Sequence, residues 1–77
     1  MKHQIDLHGL SHEDALLYTE DALLRASLYP AMVFTIITGN SPQLQHKIIK
    51  QVLTPHKFPH YVPFDNPGTI VVTEDRL

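Results

Sequence analysis

The feature that most constrains this chain is Met32-Val33-Phe34-Thr35-Ile36-Ile37, a nearly continuous apolar and β-branched run between Pro30 and Gly39. A run this short reads as a central strand covered on both faces. On either side of it the hydrophobic period becomes that of a helix. Upstream, Ala15, Leu16, Ala22, Leu23 and Ala26 share one helical face behind Ser11, an N-cap residue followed by the acidic Glu13 and Asp14. Tyr29-Pro30 is expected to end this helix, because a residue before proline is pushed out of the α region. Downstream, Ser41 can cap a second helix and Pro42 suits its first position, where a missing N–H costs nothing. Leu44, Ile48, Ile49, Val52 and Leu53 then give an apolar face of about three turns, which Pro55 is expected to close.

The flanking segments have a period of two. Residues 3–7, His-Gln-Ile-Asp-Leu, alternate polar and apolar as a half-buried strand does. His60-Tyr61-Val62-Pro63-Phe64 and Thr69-Ile70-Val71-Val72-Thr73 read as two more strands around the turn residues Asp65-Asn66-Pro67-Gly68. Pro63 cannot donate to a ladder, so the third strand should lie at an edge or be irregular there. The expected order is βαβαββ. It makes a two-layer α/β fold, one mixed sheet with two helices packed against it, as a single domain over residues 1–77.

Seventy-seven residues support only a small core, and with no cysteine neither a disulfide nor a thiolate metal site can supplement it. No apolar run approaches the roughly 20 residues of a membrane helix. The start, Met1-Lys2-His3-Gln4, moves straight into a strand pattern without a signal-peptide apolar region. The expectation is a cytoplasmic protein with no membrane partner. Net charge is -2, from 6 Lys+Arg against 8 Asp+Glu, with 6 histidines whose charge depends on pH near neutrality. The bulk basicity of strong non-specific nucleic-acid binders is therefore missing. Local geometry has to carry any such function.

Two loops have the composition for chemistry. In Asp6-Leu7-His8-Gly9, the carboxylate and the imidazole are two residues apart and project from the same side of a strand end. Such a pair can work as orienter and general base, or hold a phosphate through protonated histidine; equally, Asp6 and His8 can cap the next helix or each other. Gly9 permits a tight turn and a close approach by a ligand. The second loop is Thr38-Gly39-Asn40-Ser41, where a strand passes into a capped helix whose free N–H groups can face an anion. It lacks the Gly-x4-Gly-Lys pattern of a Walker loop. If the first two strands are parallel, both loops emerge at one carboxyl edge, where open α/β sheets bind ligands. The other histidines show no His-x3-His or Glu-x-x-His spacing, so no metal site is expected and no cofactor is predicted, with any divalent-metal requirement left open. His46, Lys47 and Lys50 make the second helix locally basic, which reads most simply as a solvated face.

Ile5-Asp6-Leu7-His8-Gly9 at a strand-to-helix junction, with Ile37-Thr38-Gly39 after the apolar strand and Asn66-Pro67-Gly68-Thr69-Ile70-Val71-Val72 at the close, resembles the small MutS-related (Smr) domain family. The resemblance runs over nearly the whole chain and is that of a short stand-alone member. It implies a sandwich like the C-terminal domain of translation initiation factor three. It also implies nucleic-acid binding, to RNA or DNA, with nicking or RNA-cleaving endonuclease activity in some members. On this sequence Asp6 and His8 match the positions tied to cleavage, Gly9 the adjoining glycine, and Thr38 and Gly39 the nucleic-acid-contacting loop. The family's second loop often carries Lys or Arg and then another Gly, where this chain has Asn40 and Ser41.

Two functions follow as expectations. One is a nucleic-acid-binding domain in which Asp6 orients His8, His8 acts as acid or base, and the N–H groups of residues 39–41 meet the phosphate charge. The other is a non-catalytic interaction or regulatory module with a protein partner, touching it through Leu17, Leu24 and Leu28. Spacing does not set the oligomeric state.

Overall fold

The computed structural model describes residues 2–28 and 32–74. Strands β1 (Lys2–Asp6), β2 (Met32–Ile37), β3 (His60–Tyr61) and β4 (Thr69–Glu74) form one mixed sheet in the order β1-β2-β4-β3. β1 runs parallel to β2, and β4 is antiparallel to both β2 and β3. Helix α1 (His12–Ala26) connects the parallel pair, as a parallel connection requires. Helix α2 (Pro42–Ile48) continues without a break into a π-helical turn, Ile49–Leu53. The small α/β fold with a mixed four-stranded sheet and two helices follows the expected order. Among the described residues, no helix is long and apolar enough to cross a membrane.

Both helix starts form as their residues predict. Ser11 Oγ accepts the Asp14 N–H at 3.1 Å, and Ser41 Oγ accepts the Leu44 N–H at 3.3 Å. The core lies between the helices and one sheet face. Ile5, Leu7, Phe34, Ile36, Ile70 and Val72 from the strands meet Ala15, Leu23, Ala26, Leu44, Ile48, Val52 and Leu53 from the helices. Leu16 and Ala22 pack against it half-buried, as the predicted stripe on α1 requires. Thr19 on α1 is also fully buried, and among the described residues its Oγ1 has no hydrogen-bond partner.

Three expectations change. β2 is central in order but covered on one face only, because both helices pack on the Phe34–Ile36 side and leave Val33, Thr35 and Ile37 half-buried. β3 stops at Tyr61 rather than reaching Phe64; Pro63 has no N–H to extend a ladder, and the strand is an edge as expected. α1 ends at Ala26, where Ser27 Oγ donates to Leu24 O at 2.8 Å and the Leu28 N–H turns back to Arg25 O at 3.3 Å. The predicted stop at Tyr29-Pro30 lies outside the described residues, as do residues 75–77 of the polar tail.

The second helix ends at Leu53 with Thr54 as its C-cap, just before Pro55 as expected. The chain runs on through Pro55 to Lys57, whose φ of 59° is left-handed. There the Phe58 N–H donates to Leu53 O at 2.9 Å and the Lys57 N–H to Thr54 O at 3.0 Å, the two bonds of a Schellman cap. Buried Phe58 and Leu53 supply its apolar contact. The π turn just before is closed by the Thr54 N–H on Ile49 O at 2.9 Å, the last main-chain donor ahead of a proline that has none. Glycine usually holds the left-handed cap position, since a side chain there is strained. Lys57→Gly should therefore stabilise the domain by about 0.5–1 kcal/mol, the relief of strain less the added unfolded-state entropy. A rise of a few degrees in thermal midpoint would register it.

Candidate nucleic-acid interface

Parallel pairing sets Asp6 beside Ile37, and the Leu7 N–H extends the ladder to Ile37 O at 3.0 Å. The Asp6–Gly9 and Thr38–Ser41 loops therefore leave the sheet side by side at its carboxyl edge. β4 begins at the same edge, with Thr69 opposite Ile37. The segment entering it completes the site.

In the first loop Leu7 is buried and anchors the turn, while Asp6, His8 and Gly9 are exposed. Gly9 has a φ of 82°, a value other residues rarely adopt. Asp6 Oδ1 accepts the main-chain N–H of His8 at 2.9 Å, rather than a proton from its ring. The expected orienter–base contact is thus replaced by a local turn, which leaves the imidazole at the surface.

The second loop is locked from across the sheet. Gly68 O accepts three donors: the Thr38 N–H at 2.9 Å, the Gly39 N–H at 3.0 Å and Thr38 Oγ1 at 3.1 Å. Gln45 Nε2 on α2 donates to Thr38 Oγ1 at 3.0 Å and to Pro67 O at 2.6 Å. Gly39 has a φ of 67°, and the Ser41 N–H folds back onto Gly39 O at 2.9 Å. This corrects the expectation that the N–H groups of residues 39–41 all face an anion. Gly39 and Ser41 spend theirs within the chain; among the described residues nothing engages the Asn40 N–H. The loop is tied to the turn before β4 and to α2. Of the main-chain N–H groups of residues 39–41, that of Asn40 is the one left for a ligand among the described residues.

Lys47 does not lie on a solvated face as expected. Lys47 is half-buried, and its Nζ lies 3.1 Å from Nδ1 of His12, the first residue of α1. An ammonium group can only donate, so the contact places the ring proton of His12 on Nε2. A cation thereby stands where the first loop enters its helix. His46 and Lys47 also line, with Pro42 and Gln43, a broad hollow of about 540 Å³. Beside it, sharing Pro42, is a cleft of about 160 Å³ formed by Gly39, Asn40, Ser41, Gln45 and Pro67. The sequence marked Lys47 as basic but held no signal for a partner 35 residues away. Gln45 carries no sequence signal, and Gly68 is legible only as a turn residue, since a turn glycine does not announce what its carbonyl accepts.

Among the described residues no three of His, Asp and Glu converge as a metal site would require. No family model, curated protein or solved structure matches this chain.

Proposed function

We propose that the chain is an Smr-like nucleic-acid-binding domain that grips the phosphate backbone along the carboxyl edge of its sheet. The observation that carries this reading is the parallel β1–β2 pairing, which sets Asp6-Leu7-His8-Gly9 against Thr38-Gly39-Asn40-Ser41. Ligand sites of open α/β sheets occur at such an edge. Lys47 and the Asn40 N–H supply attraction for a phosphate despite the overall charge of -2. Cleavage would fall to His8 as general acid or base, with Asp6 holding the main chain that presents the ring.

Titrating a short fluorescent RNA and its DNA counterpart at two salt concentrations tests the proposal. Phosphate contacts release counterions, so affinity should fall steeply as salt rises. Asn40→Lys places a charge beside the 160 Å³ cleft. It should tighten binding by on the order of 1 kcal/mol at low ionic strength, since exposed charges are screened, and steepen the salt slope by roughly one counterion. A flat slope in both proteins would end the phosphate reading.

One observation favours a second reading, a protein-interaction module. Leu17, Leu24 and Leu28 on and beside α1 are 61%, 45% and 81% exposed, the stripe expected of a contact face. Salt-independent binding of nothing but protein partners would move it to first place.

A further inference from the structure

Resting on the nucleic-acid reading above, we infer that Phe64 is a stacking residue for an unpaired base, so that the edge takes single-stranded rather than duplex nucleic acid. β3 and β4 are antiparallel, with Tyr61 opposite Val71, so residues 62–68 leave β3 and enter β4 at the edge that carries the other two loops. Phe64 is fully exposed in this segment. It is nevertheless held in a defined turn. The Asn66 N–H donates to Pro63 O at 3.2 Å, and Thr69 returns both its N–H, at 3.2 Å, and its Oγ1, at 3.0 Å, to Asn66 O. Two residues further on, Pro67 O and Gly68 O make the bonds that lock the Thr38–Gly39 loop. The aromatic ring is therefore tied through four residues of chain to the proposed phosphate site.

An exposed ring contributes nothing to the core, and its neighbour Asp65 is also exposed. A phosphate would be repelled there, whereas an uncharged base would not. The backbone would then lie toward Asn40 and Lys47 with a base turned onto Phe64. Exposed Tyr61, on β3 of the same hairpin, offers a second ring. Single-strand binders combine a phosphate track with aromatic platforms in this way. In a duplex both faces of each base are already stacked, so only an unpaired base can use the ring.

The test compares wild type and Phe64→Ala on three fluorescent probes: a single-stranded RNA, the same strand with abasic positions, and a blunt-ended duplex of equal charge. Phe64→Ala should weaken the single strand by about tenfold, the usual loss for one stacked base. Its salt slope should not change, because no charge is removed. Duplex affinity should stay constant, and the abasic strand should show no further loss on substitution. The chain has no tryptophan, so Phe64→Trp adds a lone reporter whose emission the single strand should quench and the abasic strand should not. Equal single-strand affinity for wild type and Phe64→Ala, with the steep salt slope intact, would overturn stacking and leave the phosphate reading in place. Equal losses on single strand and duplex would overturn it too. Absence of binding to any probe at low salt would overturn both.

Discussion

In the His8→Ala variant, cleavage of a labelled RNA should fall by about 10²–10⁴-fold, the contribution of a positioned general acid or base. The thermal midpoint should move by less than about 2 °C, because exposed surface positions rarely matter to stability. The structure separates the two effects. Asp6 holds the main-chain N–H of His8 at 2.9 Å, and alanine keeps that N–H. The imidazole belongs to an exposed residue, and buried Leu7 anchors the turn. Removing the ring therefore removes chemistry without removing the loop. RNA affinity should survive in the variant, since Lys47 and Asn40 are untouched. A gel assay of cleavage beside a thermal melt decides the matter: a midpoint that collapses with the ring would make His8 structural.

Gly39→Val should produce the opposite pattern, damaging stability and binding together. The φ of 67° at Gly39 is the left-handed conformation that a β-branched residue tolerates worst. Crowding is not the cause, since an added Cβ would meet nothing within 4 Å. Strain of this kind costs about 1–3 kcal/mol. In a domain of this size that corresponds to roughly 4–20 °C of thermal midpoint. The chain could relieve it only by rotating the peptide, which breaks the Thr38 and Gly39 N–H bonds to Gly68 O and frees the loop from β4. The salt-dependent RNA affinity should drop with it. Gly39→Asn is the matched control, because asparagine visits the left-handed region more easily. It should retain most of the stability. Equal midpoints for the valine and asparagine variants would show that the dihedral angle does not govern this turn.

What the sequence determined by itself is what depends on neighbours a few residues apart. The two helices, their serine caps and the apolar faces of Leu23 and Ile48 were legible because capping spans three residues and helical periodicity four. The Asp6–Gly9 and Thr38–Ser41 loops were legible for a similar reason, since glycine and cap residues punctuate strand ends locally. The tertiary structure decided everything that joins distant residues. Phe34 and Ile36 face the helices while Val33 and Thr35 do not, a distinction invisible in a run where every residue is apolar or β-branched. Thr38 meets Gly68 across 30 residues and Lys47 meets His12 across 35, and both contacts exist only once strand order has closed the sheet. The same closure spent the Gly39 N–H that the loop sequence had offered to an anion, while the Ser41 N–H is taken up locally by Gly39 O. A buried-loop N–H goes to whichever acceptor packing brings within 3 Å or so. Composition cannot rank a backbone carbonyl from the turn before β4 against a phosphate; only the position of Gly68 does.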